Sequence, residues 1–104
     1  MKSYKVLMTE PATGDSLAAT RFIAKELKEP AAAKKLVAKI REAVMSLSEM
    51  PTRHALVTDE RLAFLGIRKL PVDNCIVFYV VSEADIVVTV VRILYGRRDW
   101  EQLL

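Results

Sequence analysis

A single cysteine, Cys75, and a single histidine, His54, set the first limits on this chain of 104 residues. One cysteine cannot close an intramolecular disulfide, and no CxxC metal site can be assembled from it. One histidine excludes a two-histidine catalytic pair or zinc site. No metal and no cofactor are therefore expected. Aromatic residues make up only 7% of the chain, so the core must be mainly aliphatic. Long apolar runs are also missing. The longest, Cys75 to Val81, has seven residues, far below the ~20 of a membrane-spanning helix. The opening MKSYKVLMTEP carries one short apolar patch, too short for a signal peptide. These absences predict no membrane association and a cytoplasmic location. Charge of one sign is scarce too: 16 Lys and Arg stand against 13 Asp and Glu, for a net +3. That balance permits an anionic partner without demanding one. What is present is apolar mass. At 52% apolar the chain can build a real core, which excludes disorder. One domain over residues 1–104 is expected.

Tyr4 to Thr9 reads as a strand stopped at Pro11. Thr13, Asp15 or Ser16 could then cap a helix, with Asp15 preferred, over roughly 16–29. Ala19, Phe22, Ile23 and Leu27 make its apolar face. Pro30 ends it and suits the first turn of a second helix, over roughly 30–49. Ala33, Leu36, Val37, Ile40, Val44 and Leu47 keep a 3.6-residue period there, and Pro51 follows. The two form an antiparallel helical hairpin. Thr58 to Leu62 reads as a capped helical turn ended by Gly66. Three strands follow, over 67–72, 75–81 and 86–95, with turns at Asp73-Asn74 and at 82–85. The middle run is apolar at every position, as in a central strand covered on both faces. Arg98 to Leu104 reads as a last helical turn.

The predicted class is α/β (α+β): an N-terminal strand at a sheet edge, an αα-hairpin, a mainly antiparallel three-strand meander and a short C-terminal helix. The hairpin covers one sheet face and leaves the other for a partner or for function. The expected core holds Phe22, Ile23, Leu36, Ile40, Val44, Leu47, Leu70 and one parity of the last two strands.

The stretch Val91-Arg92-Ile93-Leu94-Tyr95-Gly96-Arg97-Arg98-Asp99-Trp100, followed by Leu103-Leu104, resembles the ending of RelE/ParE-type toxins of bacterial type II toxin–antitoxin modules. Thr9, Ala12 and Asp15 fit the family's opening spacing, and Pro30-Ala31-Ala32 its link between helices. Arg68 to Val72, Asn74, and Val77-Phe78-Tyr79 fit its middle hairpin. Two positions depart from it, Cys75 and Val80, where relatives often carry an aromatic residue and an arginine. The resemblance implies a growth-inhibiting toxin, of the kind known from plasmid stabilisation, and a cognate antitoxin that neutralises it by wrapping the domain. It also implies one of two targets. RelE-like members cut mRNA on the ribosome, the first expectation here. ParE-like members poison DNA gyrase without nuclease activity, and an inactive toxin-like binding protein is a further alternative.

RNA cleavage by 2′-OH attack needs a proton acceptor, a cation at the phosphorane and a proton donor at the leaving oxygen. Arginine can serve only as the cation. RelE-like nucleases, by resemblance, manage with a Lys/Arg cluster and a tyrosine. The catalytic candidates are therefore Lys69, Arg92, Tyr95 and Arg98, with Arg68 and Arg97 as substrate-binding residues. Each also has a structural reading. Arg92 interrupts an apolar strand and, by alternation, shares a face with Val88, Val90 and Leu94. It contacts an anion or pairs with a carboxylate such as Asp99 or Asp15. Arg98 can join Asp99 and Glu101 in an ion network, whereas both Arg97 and Arg98 can bind an anion. Arg68 and Lys69 point to opposite faces, so only one can join Arg92, and both can serve as edge charges that block aggregation. Tyr79 and Tyr95 also suit packing, Cys75 reads as a small buried hydrophobe, and His54 lies in a loop.

Overall fold

The computed structural model describes residues 3–96 and 103–104. Strand β1 (Lys5–Met8) leads into helix α1 (Glu10–Arg21), which continues as a π-helical turn, Phe22–Glu26. Helix α2 (Pro30–Ser46), a 3₁₀ turn (Pro51–Arg53) and the short helix α3 (Glu60–Phe64) follow. Strands β2 (Arg68–Val72), β3 (Cys75–Ser82) and β4 (Val87–Tyr95) complete one sheet in the order β1-β4-β3-β2. β1 runs parallel to β4, and the other pairings are antiparallel. The edge strand, helical hairpin and three-strand meander are thus as the sequence predicts. The C-terminal turn predicted from Arg98 lies largely outside the described residues. No described helix is long and apolar enough to cross a membrane.

α1 starts at Glu10, earlier than the sequence pattern places it. Thr9, not Asp15, is the cap: its hydroxyl accepts the Ala12 N–H at 3.2 Å. Pro11 then sits in the first helical turn, where a missing N–H costs no hydrogen bond. At the other end Leu27 N donates to Phe22 O at 3.2 Å, and Glu29 N donates to Ile23 O at 3.1 Å. These wide turns rotate Leu27 out of the apolar stripe, and it is exposed. Phe22, expected in the core, is exposed as well. The buried stripe is the narrow one of Ala12, Ala19 and, in the π-helical turn, Ile23; the two small alanines let α1 lie close on β4. Phe22 flanks it and rests on the Tyr95 ring at 5.8 Å between centroids.

Two apolar clusters sandwich the sheet. The larger lies under the hairpin and joins Leu36, Ile40, Val44 and Leu47 of the α2 segment to Cys75, Val77, Tyr79, Val88, Val90 and Ile93. Leu70 packs against it. The smaller lies on the outer face, where Val57, Leu62 and Ile67 cover Phe78 and Leu94, and Leu104 closes over them. β3 alternates between the clusters, Cys75, Val77 and Tyr79 inward and Ile76, Phe78 and Val80 outward, which accounts for its uniformly apolar sequence. The outer face is therefore partly covered, by α3 and its flanking segments. The outer edge of β2 is covered too: Val57 N donates to Ile67 O at 3.0 Å, and Lys69 N donates to Ala55 O at 3.1 Å.

Candidate functional site

β1 pairs only with the first part of β4, ending at Met8 opposite Val90. Beyond that point the residues at the start of α1 take over the strand edge. Thr9 N donates to Val90 O at 3.0 Å, and the Thr9 hydroxyl donates to Val91 O at 2.9 Å while it caps α1. Asp15, nearly two turns further on, accepts the Ile93 N–H through Oδ2 at 3.1 Å. The same carboxylate takes Arg92 side-on, Nε to Oδ2 at 2.6 Å and Nη2 to Oδ1 at 2.8 Å. Arg92 is 28% exposed and Asp15 15%, so the pair is only partly shielded from water. The hydrogen bond to Asp15 raises the Arg92 pKa above its already high ordinary value. Nη1 of Arg92 donates to the Leu103 carbonyl at 3.1 Å and ties down the chain end.

The face of Arg92 differs from that read off the alternation. Arg92 stands opposite Phe78, but Val90 stands opposite Tyr79, so Val91 is an extra residue, a β-bulge. A one-residue bulge reverses side-chain parity along the rest of the strand. Val88 and Val90 face the hairpin, whereas Arg92 and Leu94 fall on the parity of the outer face.

Lys69, Phe78 and Arg92 form one cross-strand row on that outer face. Two strand spacings separate Lys69 from Arg92, about 10 Å, with the buried Phe78 between them. Lys69 makes no ion pair among the described residues. Arg68 takes the other face, as adjacent strand residues must. Its Nη1 donates to His54 O at 2.6 Å and to Thr52 O at 3.3 Å. Tyr79, opposite Arg68, is fully buried and donates to Pro51 O at 2.6 Å. Its burial pushes the phenol pKa up. The His54 ring meets Tyr79 edge-on, with centroids 6.3 Å apart. Burial pushes the His54 pKa down, and the Arg53 and Arg68 charges push it further the same way. Arg68, Tyr79 and His54 thus knot the segment after α2 onto the sheet.

Tyr95 lies at the opposite end of the hairpin-facing surface, beside Phe22. It lines a cleft of about 350 Å³ with Asp15, Ala18, Ala19, Ile93 and Leu94. The four described candidates are therefore dispersed: Lys69 and Arg92 on the outer face, Arg68 and Tyr95 at two ends of the other. Arg97 and Arg98 lie outside the described residues, as does Asp99. No three His, Cys, Asp or Glu side chains come together as a metal site among the described residues. Asp15 is a partner for Arg92 that the sequence itself offers, whereas the double role of Thr9 as cap and edge closure depends on where β1 stops along β4. Thr9, two residues before Pro11 at a strand-to-helix junction, is the signal that the sequence carries.

The model of the family described as the ParE toxin of the type II toxin–antitoxin system parDE matches residues 6–100. No curated protein matches the chain in sequence. Among solved structures, the chromosomal ParDE toxin–antitoxin system of P. aeruginosa contains a chain of similar fold, with TM-score 0.73 and 22% identity, covering 91% of this chain and 98% of that one. The RelBE2 toxin–antitoxin complex of Mycobacterium tuberculosis gives TM-score 0.64 at 21% identity, covering 91% and 93%. The strand edge closed by Thr9 and Asp15 thus belongs to a fold shared with toxins of both names, and the family match across nearly the whole length makes this chain a member of the ParE toxin family, the toxin component of a type II toxin–antitoxin module.

Proposed function

We propose that this toxin acts by binding a protein target, DNA gyrase, rather than by cutting RNA. The observation that carries this reading is the side-on Asp15–Arg92 pair. An arginine whose Nε and Nη2 are taken by a carboxylate is a poor cation for a phosphorane. Lys69 stands about two strand spacings away, and Tyr95 belongs to the other face. General acid–base cleavage needs its groups within hydrogen-bond reach of one phosphate, and among the described candidates they do not converge. The family match supports the ParE-like branch over the RelE-like one.

A cognate antitoxin is the second partner. The related solved structures are toxin–antitoxin assemblies. Here a groove of about 270 Å³ runs between α1 and α2, lined by Met8, Leu17, Val37, Val44 and Met45 among others. Leu17 and Met45 are more than half exposed, at 53% and 66%. A contiguous apolar groove of this kind accepts the apolar face of an amphipathic helix.

The test pairs two assays. Purified toxin added to DNA gyrase should block supercoiling, and primer extension on cellular mRNA after induction should show no new cleavage ends. Message cleavage that disappears in Lys69→Ala, with supercoiling untouched, would reverse the reading in favour of the nuclease.

A further inference from the structure

We propose that Met45, together with Met8, is an oxidation site through which a peroxide loosens the hold of the antitoxin on this toxin. The inference rests on the reading above that an apolar helix face of the antitoxin fills the α1–α2 groove. Ile40 and Val44 form the buried floor of that groove. Three large apolar side chains on its lining are exposed: Leu17 of α1, Met8 at the end of β1 and Met45 in the last turn of α2. Two of these three are thioethers. Met45 is 66% exposed and Met8 40%, so a dissolved oxidant has access to both while the groove is open. Arg41 is the only charged side chain on the lining among the described residues, which suits an amphipathic helix with an acidic flank.

The cysteine does not compete for the oxidant. Cys75 is fully buried, and burial, helped by the Asp73 charge, pushes its thiol pKa up to about 11. The thiolate is the reactive form, so this side chain is inert near neutral pH. A thioether has no proton to lose and reacts wherever it is exposed.

The step is a two-electron oxygen transfer. The thioether sulfur attacks the O–O bond of hydrogen peroxide, and an S–O bond forms as the O–O bond breaks. The proton on the transferred oxygen passes to the departing hydroxide, which leaves as water. Sulfur is oxidised and the peroxide is reduced. The reverse reaction consumes two thiols and yields the thioether, a disulfide and water, as in methionine sulfoxide reductases. Oxidation thus turns a flexible apolar side chain into a polar one. In the free toxin the new S–O group stays in water and costs the fold nothing. Under an apolar helix face it is buried without a partner, which weakens binding about tenfold or more. Met50 is an internal control. It is 65% exposed, but it lines the neighbouring surface with Glu49 and Arg53 and not the groove.

The test treats purified toxin with hydrogen peroxide, alone and bound to purified cognate antitoxin, and maps sulfoxides by mass spectrometry of tryptic peptides. In the free toxin Met8, Met45 and Met50 should all be oxidised. Bound antitoxin should protect Met8 and Met45 and leave Met50 reactive. Oxidation of the free toxin should raise the Kd for antitoxin about tenfold or more at unchanged Tm. Methionine sulfoxide reductase with dithiothreitol should restore it. The Kd of Met8→Leu/Met45→Leu should be the same before and after peroxide, whereas Met50→Leu should lose affinity on oxidation as the parent does. An equal Kd for oxidised and untreated parent overturns the proposal, as does a Met45 that peroxide leaves unoxidised. A loss that persists in Met8→Leu/Met45→Leu, or that comes with a fall in Tm, overturns it too. Untreated Leu17→Asp separates this site from the groove reading. If Leu17→Asp releases the antitoxin and oxidation does not, the oxidation site fails while the groove reading stands. If Leu17→Asp binds like the parent and oxidation of Met45 still weakens binding, the groove reading fails while the oxidation site stands.

Discussion

Asp15 and Arg92, 77 positions apart in sequence, share two hydrogen bonds, and the same carboxylate also receives the Ile93 N–H of the bulged strand. The pair joins the start of the first helix to the last strand where β1 no longer reaches. Asp15→Ala removes the acceptor for three donors, two of them on a charged group. A loss of about 1–3 kcal/mol is expected, as for hydrogen bonds to charged groups that water partly screens. Urea unfolding measures it. Asp15→Asn, which keeps an acceptor for Ile93, should lose less. A loss under ~0.5 kcal/mol for Asp15→Ala would mean that the pair is idle.

Ile40 is 4% exposed at the centre of the larger cluster. Ile40→Ala should cost about 2–5 kcal/mol by urea unfolding, the range for removing a buried branched side chain from a core that cannot fully collapse. Met45→Ala, on the exposed rim of the same helix, should shift stability by less than ~0.5 kcal/mol.

His54 gives a pH dependence of defined sign. Its pKa in the folded chain lies below the ordinary 6.5, chiefly through burial, and its Nε2 is buried without a hydrogen-bond partner among the described residues. Above 6.5 the ring is neutral in both folded and unfolded chain, so it adds no pH dependence. As pH falls through 6.5 the unfolded chain takes the proton first, and stability declines. Tm followed from neutral pH to about pH 5 should therefore fall less in His54→Gln than in the parent. Equal slopes would show that the ring titrates freely.

The groove between α1 and α2 makes a prediction about neutralisation. Leu17→Asp places a charge in an exposed apolar wall, so folding should be nearly unaffected. Rescue by a cognate antitoxin should be lost, while toxicity in its absence persists. Growth of cells carrying both proteins reads the first effect, and growth of cells carrying toxin alone reads the second. Normal rescue of Leu17→Asp would move the antitoxin to another surface.

Local pattern alone determined much of this protein. Proline positions, the 3.6-residue period of α2 and the doubly apolar run of β3 specify the helical hairpin and the central strand, because each rests on contacts between near neighbours. The core residues Ile23, Leu36, Ile40, Val44 and Leu47 follow from the same periodicity. The bulge at Val91 does not, because strand alternation carries no mark of an unpaired residue until the partner strand is in place. That single residue decides the face of Arg92. Phe22 lies outside the core for a related reason: the narrow alanine stripe of α1 packs on β4 and leaves the larger side chain on the flank. The exposure of Phe64 likewise depends on Leu62 having already filled the outer cluster. Composition and spacing thus determine which segments form, while the tertiary structure decides which charges meet and which apolar side chains are left over, since both depend on residues brought together from distant parts of the chain.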